Sequence, residues 1–192
     1  MAEITVAAGR CWQYSHYIGR SATAGAGFRQ PVGVAAGKDG MLYVANRSVV
    51  RITKTTVDQE FITEFGRNGQ EEGQFVWITA VALDKDENVY TSDEWLNRIT
   101  VFDKDGNLKS SWTGDFVDAH GITIVKEDNI EKLWIADNGS KRGFQHGYDY
   151  PPGAESASGQ VFKTTLDGQT VMVLDRPPVE VYRDSRYAPT SI

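Results

Sequence analysis

Residues 28–52, FRQPVGVAAGKDGMLYVANRSVVRI, return 47 positions later as residues 75–99, FVWITAVALDKDENVYTSDEWLNRI. Phe28, Val34, Asp39, Tyr43, Arg51 and Ile52 align with Phe75, Val81, Asp86, Tyr90, Arg98 and Ile99 at that spacing without a gap, and Asn46 aligns with Asp93. In both copies, short β-branched and aromatic runs are punctuated by Gly, Asp and Asn, the composition of strands joined by tight turns. A period of roughly 40 to 50 residues built from such runs is the signature of a β-propeller, with one blade of about four strands per repeat. The expected fold class is therefore all-β.

Working outward, the small residues of Pro31–Ala36 suit an inner strand at the crowded propeller axis. Met41–Asn46, Val50–Thr53 and Glu60–Phe65 supply three more strands of a blade over 28–66. A second blade spans 75–112. A third spans 120–175, with Asp137 standing 44 residues after Asp93 and a Gly-, Pro-, Ser- and Tyr-rich loop insertion at 140–158. Both flanks are incomplete. Tyr14, Ile18, Gly19 and Arg20 align with Phe61, Phe65, Gly66 and Arg67, which makes 12–20 an outer strand with no inner strands before it. Pro189-Thr190-Ser191-Ile192 aligns with Pro31-Val32-Gly33-Val34, so 187–192 begins a further blade. The expectation is the N-terminal portion of a longer, six-bladed propeller, whose remaining blades would cover the open flanks.

Composition excludes several function classes. The net charge is −6 with 20 basic residues scattered along the chain, against the basic face that nucleic-acid binding requires. A single cysteine, Cys11, leaves no disulfide framework and no paired-cysteine metal site. No run reaches the ~18 apolar residues of a membrane span. The opening MAEITVAAGRCW lacks the basic and apolar regions of a signal peptide, so a cytoplasmic location is expected.

The blade pattern places Gly-x-Phe before the inner strand, then an Asp-Gly turn, then aromatic-Val-Ala-Asp/Asn, Arg-Ile and Phe-Asp-x-Asp-Gly. It resembles NHL repeats over about residues 12 to 192. Within that group, VFDKDGNLKSSW, AHGI, LWIADNG, QVFK and YAPTSI in residues 101–192 are similar to the catalytic domain of the peptidyl-α-hydroxyglycine α-amidating lyase family. The resemblance implies a zinc ion at the mouth of the central channel, held by three histidines from different blades and assisted by a Tyr and an Arg. His120 matches the first of these metal ligands. The position of the family's Arg holds Asp93, and Arg47 holds that place one blade earlier. Residues 1–192 alone are expected to be catalytically silent.

Loops that precede the first strand and loops that join the second and third open on one face of a propeller. Asp93, Glu94, Trp95, Asp137, Asn138, His146 and Asp149 are therefore expected to share a rim with His120 and to meet a ligand there. One histidine does not make a catalytic zinc site, which takes about three protein ligands and a water. Asp84-Lys85-Asp86-Glu87-Asn88 lacks the Gly and Glu of a calcium loop and reads as a turn. Two functions remain open: a scaffold that binds a small molecule, peptide or protein at the channel rim, and a zinc-dependent lyase.

Overall fold

The computed structural model describes residues 4–7, 9–19, 27–139, 159–180 and 187–191. A short hairpin comes first, β1 (Ile4–Ala7) paired antiparallel with β2 (Arg10–Gln13). Three four-stranded antiparallel sheets follow, each a meander in chain order. They are β3–β6 (Pro31–Ala36, Met41–Asn46, Arg51–Thr56, Phe61–Phe65), β7–β10 (Ile78–Leu83, Val89–Asp93, Arg98–Phe102, Leu108–Thr113) and β11–β14 (Ala119–Glu127, Ile130–Asp137, Gln160–Thr164, Thr170–Leu174). Among the described residues the one helical element is a 3-10 turn at Lys38–Gly40. No helix there is long and apolar enough to cross a membrane.

The sheets pack face to face as blades, with β3 against β7 and β7 against β11. Two apolar cores fill the two gaps. Between the first and second blades, Tyr43, Ile52 and Phe65 meet Phe75, Ile78 and Phe102. Between the second and third, Tyr90, Ile99 and Phe116 meet Leu133, Ile135 and Phe162. The rings of Phe65 and Phe102 are tilted at 5.0 Å, a favourable aromatic geometry.

Close packing at the repeat junction requires glycine. Gly66 has φ +80°, and a Cβ there would fall 2.4 Å from the Phe75 ring. Gly19, 47 residues earlier, has φ +99° and stands in the same relation to Phe28.

The 12–20 stretch differs from a continuous outer strand. Its strand character ends at Gln13, where β2 pairs with β1, and residues 14–18 carry no ladder. An outer strand is held by hydrogen bonds to the third strand of its own blade, and the described residues supply none for this segment. It is tied instead to the first blade, through Phe28 N–H donating to Gly19 O at 3.0 Å and His16 Nε2 lying 2.9 Å from Val57 O.

At the other flank, Thr190 and Ser191 stand beside Gly121 as Ala80 and Val81 stand beside Gly33. The insertion at 140–158 lies outside the described residues.

Candidate functional site

Each inner strand carries a β-bulge at one equivalent place. Pairing skips Val32 between Pro31 and Gly33, Thr79 between Ile78 and Ala80, and His120 between Ala119 and Gly121. A bulge takes a residue out of the in/out alternation of the strand and re-aims its side chain. Val32, Thr79 and His120 all line one cavity of about 410 Å³, together with Arg47, Thr190 and Ser191. Thr190 aligns with Val32 in sequence, so four equivalent positions of successive repeats converge on this cavity. Small residues beside the bulge (Gly33, Ala80, Gly121) let the inner strands approach the axis closely.

His120 is the most chemically capable of these side chains. Its Nδ1 lies 2.7 Å from Glu94 Oε2, 4.0 Å from Asp118 Oδ1 and 3.4 Å from Asn138 Nδ2. The neighbouring Ala119 carbonyl accepts a 3.0 Å bond from Thr79 Oγ1, which ties the second and third blades together at the site. Arg47 reaches the cavity from the first blade. Its guanidinium stacks 4.9 Å above the Trp77 ring and its Nε–H donates to Ile78 O at 3.2 Å.

Two expected rim residues have a different role. Asp93 is fully buried. Its Oδ2 accepts from the N–H groups of Val76 (2.7 Å) and Trp77 (3.0 Å), and its Oδ1 from Trp95 (3.0 Å) and Leu96 (2.9 Å). Burial pushes this carboxyl up, against the opposing pull of those N–H donors and of the Arg98 charge. Asp137 repeats the arrangement, accepting from Val117 and Asp118 at 2.9 Å each and from Gly139 at 2.8 Å. Asn46 occupies the same place in the first blade and accepts from Arg29 N–H at 3.2 Å. These side chains fasten the loop entering the inner strand to the end of the second strand. Their oxygens are committed to backbone rather than offered to a ligand.

Trp95 also departs from a rim role. It is 3% exposed and packs with Val76 and Leu96 in a small core of its own. Glu94 and Asn138 are buried at the site and reach it through His120. His146 and Asp149 lie outside the described residues. Sequence reasoning missed Thr79, Asp118, Thr190 and Ser191. The 47-residue alignment of Val32 with Thr79 carried a usable signal for one of them.

The implied zinc can be compared with the donors present. Ligand atoms of Glu94, Asp118 and His120 lie within 4.8 Å of one another, an oxygen-rich set rather than a three-histidine one. The 2.7 Å Glu94–His120 contact is a hydrogen bond, so those two donors face each other instead of a common centre. His16 sits on the outer segment, bonded to Val57 O. Among the described residues, then, one histidine lines the cavity, and a three-histidine zinc site is not assembled.

Solved structures with the same architecture include a catalytically inactive virginiamycin B lyase from Staphylococcus aureus with quinupristin. It aligns over 89% of this chain and 47% of that one, at 16% identity and a TM-score of 0.54. The WD40 repeats of RRP9 align over 76% and 38% at 12% identity and 0.54, and a luciferin-regenerating enzyme over 96% and 52% at 9% and 0.53. The fold is that of a β-propeller. At such identities the likeness concerns the fold alone. The chain spans about half the length of these structures or less. No family model matches the chain, and no curated protein does.

Proposed function

We propose that this chain is part of an NHL-type, six-bladed propeller that acts as a binding scaffold, with its ligand site at the channel mouth. The observation that carries this reading is the convergence of the bulge positions Val32, Thr79, His120 and Thr190 on one cavity with Arg47 and Ser191. The cavity combines polar groups with the apolar flanks of Val34, Val81 and Ile122, the mixture typical of sites that fix a ligand's orientation. A small molecule, or one side chain of a peptide or protein, is the matching occupant. Net charge −6 and scattered basic residues favour such partners over nucleic acid or a membrane. A cytoplasmic location and coverage of the open flanks by further blades belong to the same proposal.

The test is a fragment screen by NMR on the full-length protein. Resonance shifts clustered at 32–34, 79–81 and 120–122, and lost in His120→Ala, are expected. Hits that cluster elsewhere, or that ignore His120→Ala, would sink the proposal.

A second reading, a zinc-dependent lyase of the amidating type, is favoured by one observation: the histidine matching the family's first ligand lies on the channel cavity. Its other two histidines would have to come from outside the described residues. Zinc analysis of the full-length protein, with an assay for glyoxylate release from an α-hydroxyglycine peptide, separates the readings. Turnover supports the lyase. Ligand binding with neither zinc nor turnover leaves the scaffold.

A further inference from the structure

We propose that Glu94 is a positioning residue. It keeps a proton on Nδ1 of His120, so that in the uncharged ring Nε2 is the hydrogen-bond acceptor for the ligand. This rests on the reading of the channel mouth as a binding site, and it refines the ligand class: the group that meets His120 carries an O–H or N–H.

Two contacts support it. Glu94 Oε2 lies 2.7 Å from His120 Nδ1, and the two side chains are only 5% and 17% exposed, so water competes weakly for the bond. An ionised carboxylate can only accept, so this bond requires the proton on Nδ1. Asp118 adds a second carboxylate 4.0 Å from the same nitrogen, with its side chain 1% exposed, which again favours a proton there. Asn138 Nδ2 lies 3.4 Å from the same nitrogen, a longer contact than the Glu94 bond.

With Nδ1 engaged by these groups, the lone pair of a neutral ring resides on Nε2, and the bond at one nitrogen sets the role of the other. The bulge at His120 completes the device by taking the side chain out of the strand's alternation, beside the cavity it lines. Glu94 is supplied by the second blade and His120 by the third, so the tautomer depends on how the two blades pack.

The experiment is a two-bond 15N–1H correlation spectrum of the full-length protein labelled at histidine, recorded without ligand, with His120 assigned by loss of its signals in His120→Gln. The unaltered protein is expected to show a protonated-type Nδ1 and an unprotonated-type Nε2. In Glu94→Leu the Nδ1–H signature should be lost and the Nε2–H form, which free histidine favours, should replace it. An Nε2–H tautomer, or a ring protonated on both nitrogens at neutral pH, in the unaltered protein would overturn the proposal, and that result does not depend on Glu94→Leu folding. A folded Glu94→Leu protein that keeps Nδ1–H would overturn it equally. The fragment screen is independent of this spectrum. Nδ1–H without any channel ligand ends the binding-site reading and spares the role of Glu94, whereas channel binding with Nε2–H does the reverse.

Discussion

Val34 and Val81 occupy the same position of two successive repeats, yet Val34 is 63% exposed and Val81 only 7%. Both lie on an inner strand, both follow a bulge, and both are flanked by small residues. They differ in what lies on their outer side. The second blade is covered by a neighbour on each face, and β8 is buried along its whole length. In the first blade, β3 is mostly exposed or half-buried. A blade therefore does not bury its own inner strand, because the next blade does that. The core of this architecture belongs to the gaps between sheets, so each repeat depends on its neighbours for stability.

The comparison can be broken at equivalent positions, and the largest difference is expected at the repeat-opening phenylalanines. Phe75 is fully buried between two blades, and Phe75→Ala should cost about 3–5 kcal/mol in urea unfolding. Phe28, half-buried on the open flank, should cost less than half as much. Equal losses would show that Phe28 is covered as well as Phe75.

The loop-fastening residues come next. Asp93 accepts four backbone N–H bonds, and Asp93→Ala should destabilise by about 3 kcal/mol because the buried donors lose their acceptor. Asn46 accepts from Arg29 N–H and donates to Thr53 Oγ1 at 2.9 Å, so Asn46→Ala should cost about 1–2 kcal/mol. The same unfolding series ranks the two, and a larger loss at Asn46 would contradict the assignment.

A smaller effect concerns the turn from the third to the fourth strand of the second blade. The Asn107 side chain and the N–H groups of the turn hold the Asp103 carboxyl below the ordinary Asp value of 3.8. A depressed folded value means the ionised form is favoured by folding. This contribution is present above the unfolded value and is lost as pH falls through the folded one. Titration of Asp103 by NMR should give a midpoint below 3.8, and Asn107→Ala should bring it back toward that value. A midpoint that ignores the substitution would remove Asn107 as the cause.

Much of the fold was legible because the repeat is long, ungapped and marked by residues with fixed structural duties. Asp-Gly turns, Gly before Phe, and an Asn or Asp ending the second strand recur for reasons of backbone geometry. That same recurrence points to a structural duty for Asp93 and Asp137, whose carboxylates accept backbone N–H bonds. A side chain that returns in every blade serves what every blade needs, and here that is an acceptor for the entering loop. His120 was legible for the opposite reason, since it stands where the other repeats have Val32 and Thr79. The bulges were not legible. One unpaired residue in an inner strand leaves no mark on composition or period, yet it brings Thr79 and His120 to the cavity. The β1–β2 hairpin lies outside the repeat, and alignment could not speak for it.

An inner strand of this fold is buried by its neighbouring blade. Thiol accessibility at positions 34 and 81 measures this directly in the 192-residue chain, with the exposed Cys11 replaced by Ser. Val34→Cys should react with a maleimide many times faster than Val81→Cys under native conditions. Equal rates at the two positions, or faster labelling at 81, would contradict the packing order described for these blades.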